Sequence, residues 1–164
     1  SSGMSPLYHF DGGISGTRVG FDAAEILPLH ATSSGIAILA FGKPELLETL
    51  SKSRLRKFTE KTDTNLDAIR RTVESSKELG FSHMSQSYEA EVASVALPFF
   101  DGSGYAIGTV SVATPRFRMT DDFKVKALAK AITTSRAITS EIGGQTPEQL
   151  NRKWTLIQEE AEAL

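Results

Sequence analysis

Hydrophobic and polar residues alternate along residues 92–100 and 105–115, and this period of two predicts the two strands of a β-hairpin. Asp101 and the glycines at 102 and 104 lie between the strands and tolerate the positive φ angles of a tight turn. A centred turn of two or four residues pairs Phe100 with Tyr105 and Ser94 with Ser111. One face of the hairpin is apolar and belongs in a core. The other face carries small and hydroxyl-bearing side chains: Ser94, Ala96, Thr109, Ser111 and Ala113.

This small-residue face of the hairpin has two interpretations. Small side chains leave room for a guest molecule, and hydroxyl groups can orient its polar atoms. The same surface would also suit a helix of small residues packed closely against the sheet. The hairpin alone does not decide between ligand binding and packing.

The rest of the hydrophobic pattern predicts mostly helices. Residues 35–40 form a short, nearly all-apolar helix that ends at Gly42, and all-round apolarity implies burial. A second helix begins at residues 43–45, and a third spans Leu66–Leu79, with Thr64 and Asp67 resembling a capping box before it and a glycine after it. Residues 81–87 predict a strand, and residues 7–21 predict a strand or a loose hairpin.

Two helices are predicted after the hairpin. The first is capped by Thr120-Asp121-Asp122 and ends at residues 143–144, and the second opens at residues 146–149 with a capping-box pattern. The apolar residues of the last helix recur at spacings of four and three: Leu150, Trp154, Ile157, Ala161 and Leu164. This stripe would fit either its own domain or a second subunit, and two heptads are too short to decide.

The hydroxyl residues Thr32, Ser33 and Ser34 precede the first buried helix. Free N–H groups and the positive end of the helix dipole make such a start a physical site for a carboxylate or a phosphate. Ordinary capping is the alternative, and it needs only one of the three hydroxyls.

Composition narrows the function classes without selecting one. The 164 residues suit one domain, and a net charge of −2 gives no sign of nucleic-acid binding. The sequence has no cysteine, which excludes disulfides, a thiolate nucleophile and cysteine-ligated zinc. It has no apolar run long enough to span a membrane and no secretory signal pattern, so we expect a cytoplasmic protein without membrane contacts.

The chain lacks a recognisable catalytic set. The histidines at positions 9, 30 and 83 do not have zinc-protease spacing, and no phosphate-binding glycine motif is present. His30 lies near a serine cluster, but no nucleophile-elbow sequence supports it. Glu89 and Glu91 fall in a predicted exposed loop, where solvated carboxylates are the simpler interpretation. The sequence therefore favours a binding module over an enzyme, with no cofactor and no metal.

Several of these segments, in this order, resemble the effector-binding domain of IclR-type bacterial transcription regulators. The resemblance covers roughly residues 18–143, and the ordered set is more specific than any one of its motifs. The matching positions are Leu27-Pro28-Leu29-His30-Ala31-Thr32, Ser34-Gly35, Leu39-Ala40, Phe58-Thr59, Thr62, Leu66, Gly80-Phe81, Glu89, Ser94-Val95-Ala96, Pro98, Asp101, Ser111-Val112, Pro115 and Arg118.

The resemblance implies an α+β fold related to GAF and PAS sensors, with helices flanking a curved, mostly antiparallel sheet. It implies a pocket for a small organic effector, often a carboxylic acid or an aromatic metabolite, and a homodimer or dimer of dimers on promoter DNA. The positions that correspond to the family's pocket are Ser33, Ser34, Gly35, Met84, Ser94, Ser111 and Ala113.

This chain departs from the family's pattern at several positions. Ile36 stands where the family usually has lysine, and Glu91 and Thr114 replace frequent glycines. Met84 stands where an acidic or polar residue is common, which should favour a less polar ligand.

The family's winged helix-turn-helix and linking helix are absent from the sequence, so we expect an excised or truncated sensor domain. Operator DNA would then be bound only through a missing N-terminal domain. We divide the chain into an N-terminal strand or tag remnant (1–17), an effector-binding domain (18–144) and a C-terminal helix of the same domain (145–164).

Two alternative functions compete with effector sensing. One is a small hydrolase or isomerase with a GAF-like fold that uses His30 and a nearby serine. The other is a ligand-free oligomerisation domain whose contact surface is the last helix.

Overall fold

The predicted hairpin lies at the centre of the fold. The computed structural model describes residues 3–10 and 25–164. Within them, strands β3 (Ser82–Ser85), β4 (Val92–Phe100) and β5 (Ala106–Pro115) form an antiparallel sheet in the order β3-β4-β5. A short pair, β1 (Gly3–Met4) with β2 (Leu27–Pro28), forms a separate antiparallel ladder.

The register of the hairpin differs from the predicted one. Ser94 pairs with Ala113 rather than with Ser111, and Phe100 pairs with Ala106 rather than with Tyr105. The connection is longer than the centred turn we expected, and a β-bulge lies between Phe99 and Phe100. From Val92 to Phe99 the ladder pairs have therefore slipped by two residues, which leaves these side chains on their predicted faces, and beyond the bulge the Phe100 pair has slipped by one.

Packing around Phe99 gives a physical reason for this register. Phe99 lies opposite Gly108, and its ring occupies the space above that glycine. A Cβ atom at Gly108 would be 2.1 Å from the ring. Glycine is thus the residue that admits the ring, and the predicted register would have placed an alanine there instead.

Helix α1 (Ser33–Phe41) matches the prediction, with Thr32 as its N-cap and Gly42 as its C-cap. Helix α2 (Glu45–Ser51) follows at once. Helix α3 (Leu66–Leu79) also has its predicted bounds and ends at Gly80, whose φ of 85° suits glycine. Its cap was predicted wrongly: the side chain of Asn65, not a Thr64–Asp67 box, accepts from the first helical N–H groups.

Helix α4 (Asp121–Glu141) follows a 3-10 turn (Arg116–Arg118) and begins at the predicted cap, Thr120. Strand β4 extends beyond the end of its partner β3, and α4 satisfies backbone groups there. The Ser135 hydroxyl donates to the Pro98 carbonyl, and the Phe100 N–H donates to the Thr139 hydroxyl. These buried bonds fix α4 along the sheet.

Helix α5 (Glu148–Glu162) packs on its own domain. Trp154 is 0% exposed, and its indole N–H donates to the Gly80 carbonyl over 2.7 Å. Lys153 donates to the carbonyls of Lys77 and Glu78 at the end of α3. The predicted capping box is absent, because Pro147 occupies the N-cap position without a side-chain bond.

The flanking helices lie on opposite faces of the sheet. The hydroxyl of Ser82 in β3 donates to the carbonyl of Ser33, so α1 begins over the small-residue face. On the other face, His83 lies near the charges of Lys124 and Asp121 at the start of α4. The α+β class is therefore as predicted, and the core includes Leu29, Ile36, Leu39, Leu50, Ile69, Val73, Val95, Leu97, Phe100, Leu128, Ile132, Leu150 and Trp154.

Near the N-terminus the prediction fails in part. We expected a strand or hairpin over residues 7–21, but residues 7–10 are irregular and exposed, and the strand lies earlier, at Gly3–Met4. The remainder of that prediction, residues 11–21, lies outside the described residues. In the part of the chain that the structure describes, no helix has the length and apolarity needed to cross a lipid bilayer.

Candidate functional site

The sheet brings most of the predicted pocket residues together on its small-residue face. Met84, Ser94 and Ala113 lie directly opposite one another on β3, β4 and β5 and form one row across the sheet. Two residues away on each strand, and on the same face, a second row is formed by Ser82, Ala96 and Ser111, which are paired in the same way. Ser94 and Ser111 are thus diagonal neighbours rather than a direct pair.

The start of α1 meets this face at the Ser82–Ala96 row. Ser82 and Ala96 are both 0% exposed, and the bond from Ser82 to the Ser33 carbonyl ties the helix to β3. Packing of α1 therefore explains part of the face. Two residues away along the strands, Met84 and Ser94 are half-buried, while Ser111 is exposed at the β5 end of the Ser82–Ala96 row.

The three hydroxyl residues before α1 do not act alike. Thr32 is the cap: its hydroxyl accepts from the Gly35 N–H over 3.0 Å and donates to the Pro28 carbonyl over 2.9 Å. The Gly35 amide is therefore already used by the cap. Gly35 has a packing role instead, since a Cβ there would lie 2.3 Å from the Leu29 carbonyl oxygen. Ser33 and Ser34 are buried beside it.

The hydroxyl groups of the four predicted pocket serines have no partner in the described part of the chain. Within residues 3–10 and 25–164, the hydroxyls of Ser33, Ser34, Ser94 and Ser111 make no hydrogen bond, and no fully buried side-chain nitrogen or oxygen lacks a partner. These hydroxyls must therefore reach accessible space. Together with the Met84 thioether and the Ala113 methyl group, they offer neutral donors and apolar contacts, without a charged side chain at these positions.

His30 serves the structure rather than a serine nucleophile. Its side chain is 5% exposed, and Nε2 lies 2.9 Å from the Arg56 carbonyl. The ring also contacts Phe58, with 5.9 Å between the centroids. This bond fixes the loop after α2 against the segment that leads into α1.

A cleft that the sequence did not indicate lies beside His30. It has a volume of about 320 Å³ and is lined by Glu25, Arg56, Phe58, Tyr88 and Glu89. Phe58 and Tyr88 meet edge to face, and the Tyr88 hydroxyl donates to Glu25. Burial, and then the charge of Glu25, raise the pKa of Glu89. The residues of this cleft come from loops without a periodic pattern, so no local sequence signal could have revealed the cleft.

The two remaining titratable candidates, Glu91 and His83, lie away from the small-residue face of the sheet. Glu91 is exposed and forms an ion pair with Arg116 at 3.6 Å. His83 lines a cleft of about 380 Å³ between β3 and α3. Burial, and then the charge of Lys124, lower the pKa of His83, while Asp121 raises it. In the described part of the chain, no group of histidine and acidic residues could hold a metal ion.

An antiparallel sheet flanked by helices, with a neutral, hydroxyl-bearing surface beside a helix start, is the architecture that the sequence resemblance implies for an effector-binding domain. Residues 17–140 match the family described as bacterial transcriptional regulator IclR, C-terminal. The chain belongs to this family of effector-binding domains.

A curated relative and a solved structure agree with this assignment. The HTH-type transcriptional repressor AllR of Escherichia coli K12 is 26% identical over 118 residues, which cover 71% of this chain and 44% of AllR. The chain thus spans less than half the length of that relative. A putative IclR transcriptional regulator from Silicibacter sp. TM1040 is 32% identical, with a TM-score of 0.76 over 82% of this chain and 53% of that chain. The relatives are named as regulators of transcription, in agreement with a binding module rather than an enzyme.

A more distant structure shares the fold. It is a double mutant of the PobR inducer-binding domain from Acinetobacter, in complex with 3-hydroxybenzoic acid. Its identity is 19% and its TM-score 0.63, over 76% of this chain and 74% of that chain.

Proposed function

We propose that the chain senses a small organic acid and thereby controls a DNA-binding domain in the whole regulator. The observation that carries this proposal is the row of Met84, Ser94 and Ala113, with unpaired hydroxyls at Ser34, Ser94 and Ser111 around it. Hydroxyl donors would bind the carboxylate, and the methionine and alanine side chains would contact its apolar part. Ser33 and Gly35 form the wall on the α1 side.

The neutrality of these positions sets the expected effector class. The site offers no arginine or lysine for a second carboxylate, and Ile36 adds an apolar side chain next to Gly35. Burying an unpaired charge is costly, so a dicarboxylate is disfavoured. We therefore propose a monocarboxylic acid with an apolar or aromatic body. The acid bound by the PobR domain is an example from another protein of this fold.

In the whole protein, the effector would shift an equilibrium between two arrangements of the DNA-binding domains. We propose a homodimer, or a dimer of dimers, as the working unit, with operator DNA bound by the helix-turn-helix part. Support for the DNA-binding part comes from the relatives, which are named HTH-type regulators.

A thermal-shift screen of aromatic and aliphatic monocarboxylates tests the proposal. An acid at one hundred times its Kd stabilises the folded state by about 2.7 kcal/mol. For a domain of this size, that raises Tm by roughly 5–10 °C. The Ser94→Ala, Ser111→Ala double variant should lose most of this shift.

The matched control is Ser75→Ala, Ser140→Ala, which removes two exposed hydroxyls from α3 and α4, neither of them on the small-residue face of the sheet. It should keep the full shift. An equal shift in the Ser94, Ser111 double variant would show that the site is elsewhere, and dicarboxylates outperforming every monocarboxylate would contradict the effector class.

A further inference from the structure

The connection between α2 and α3 carries a concentrated positive charge. We define the basic loop as residues 52–61. It contains five basic side chains, Lys52, Arg54, Arg56, Lys57 and Lys61, and one acidic one, Glu60, for a net charge of +4. The whole chain carries −2, so the remaining residues carry −6. All five basic residues are exposed.

The backbone of the basic loop is held in place although it has little regular structure. The Thr62 hydroxyl accepts from the N–H groups of Phe58 and Thr59, over 3.0 and 2.8 Å, and donates to the Ser87 carbonyl. The Thr59 hydroxyl donates to the Gln86 carbonyl. The loop is therefore pinned to the segment after β3, and binding would not have to order it.

A further bond and apolar packing hold the first half of the loop. His30 contacts the Arg56 carbonyl at 2.9 Å, and Leu55 packs against the core. The cationic side chains thus project from a fixed base.

Little within the loop neutralises these charges. Lys57 pairs with Glu60 at 2.9 Å, but Glu60 is 94% exposed, and such a pair is weak in water. Arg56 lies over the Phe58 ring and shares its cleft with Glu25 and Glu89, so its charge is partly balanced. In the described part of the chain, Arg54 has no acidic partner.

The chemistry of the surface favours phosphates over a protein. Protein interfaces are usually anchored by apolar or aromatic side chains that enter the partner. Here the apolar side chains of the loop turn inward, since Leu55 joins the core and Phe58 packs on Tyr88. What faces outward is five Lys and Arg side chains with Ser53 and one acidic residue, Glu60, and lysine, arginine and serine are side chains that contact phosphate oxygens. Duplex DNA carries one negative charge per about 1.7 Å of helix, and this high density of negative charge complements such a basic surface.

We infer that the basic loop is a second, sequence-independent contact to the DNA backbone, made by the sensor domain itself. The relative AllR is named as an HTH-type repressor, and the inference rests on the proposal that the whole protein also binds DNA through a different part of the chain. The inference does not depend on the proposed effector site, which uses other residues.

Fluorescence anisotropy with a labelled 20-base-pair duplex of arbitrary sequence tests the inference on this chain. Binding should be detectable at low salt and should weaken with a log–log slope of about −3 to −4, as expected for roughly four phosphates neutralised. Arg54→Glu, Lys61→Glu should weaken binding at least tenfold and reduce the slope by about two.

The matched control is Lys126→Glu, Lys130→Glu on α4, which changes the net charge equally and also replaces exposed lysines. It should weaken binding less than threefold. If a glutamate variant lowers Tm by more than a few degrees, the glutamine pair Arg54→Gln, Lys61→Gln replaces it, with the same expected order of affinities.

Several results would overturn the inference. The first is the absence of salt-dependent DNA binding. The second is an equal loss of affinity in the α4 control, which would show that only the overall electrostatic field of the protein acts on the DNA. Binding of polyglutamate but not of DNA would assign the loop to an acidic protein surface instead.

Discussion

Replacing Trp154 by alanine should cost a large part of the folding free energy. Trp154 is fully buried under α5, and its indole N–H donates to the Gly80 carbonyl. Truncating a buried tryptophan costs about 3–5 kcal/mol in lost burial and cavity formation. The stranded Gly80 carbonyl adds about 1 kcal/mol. The expected loss is therefore about 4–6 kcal/mol, against a typical total of about 5–15 kcal/mol.

Two comparison variants divide this loss into its parts. Trp154→Phe keeps most of the buried ring and removes the donor, so it should cost about 1–2 kcal/mol. Leu156 is on the same helix but 65% exposed, and Leu156→Ala should cost less than about 1 kcal/mol.

Urea denaturation followed by circular dichroism measures all three variants. Trp154 is also the sole tryptophan of the chain, so its emission in the parent protein should shift to longer wavelength as α5 detaches. The reasoning is refuted if Trp154→Ala unfolds at the same urea concentration as Leu156→Ala. A change of oligomeric mass without loss of stability would instead place Trp154 between subunits.

Two further predictions concern α1 and the cleft beside α3. Gly35→Ala places a Cβ 2.3 Å from the Leu29 carbonyl oxygen and should lower the free energy of unfolding, measured in urea, by more than about 2 kcal/mol. Gly102→Ala, with nothing closer than 4.0 Å to the new Cβ, should be nearly neutral. Equal losses of stability in the two variants would contradict the close approach at Gly35. The pKa of His83 is lowered by burial and by Lys124, so the unfolded chain binds its proton more readily, and stability should fall as the pH drops below the ordinary histidine pKa of about 6.5. His83→Gln should flatten this dependence between pH 7 and 5, and an unchanged pH profile in that variant would count against the assignment.

Local chemistry explains which elements could be predicted. Helix α3 has its predicted bounds because an apolar stripe and a terminal glycine act within a few residues of chain. The same holds for the Thr32 and Thr120 caps, whose hydroxyls accept N–H groups three residues later. Neighbouring candidates were harder to separate: Thr64 and Asn65 are both acceptable caps, and only the path of the chain before α3 selects Asn65.

The hairpin register needed information that a turn sequence does not contain. The residues of the turn permit several lengths, and the choice came from fitting the Phe99 ring over Gly108 on the opposite strand. The predicted pocket residues of the hairpin stay on one face despite this error, because a slip of two residues keeps the side-chain faces. The cleft around Phe58 and Tyr88 was missed because its residues meet only through tertiary contacts between loops.

The sequence by itself determined most helix bounds and the neutral, hydroxyl-bearing face of the hairpin, because periodicity and capping are properties of short segments, and its resemblance to a known family implied the α+β class. Tertiary structure decided how that face is used. It placed α1 over Ser82 and Ala96, left Ser94 and Ser111 beside the covered part, and assigned the Gly35 amide to the Thr32 cap. It also directed Trp154 into its own domain, a choice that an apolar stripe of two heptads cannot make, since burial against either surface removes the same side chains from water.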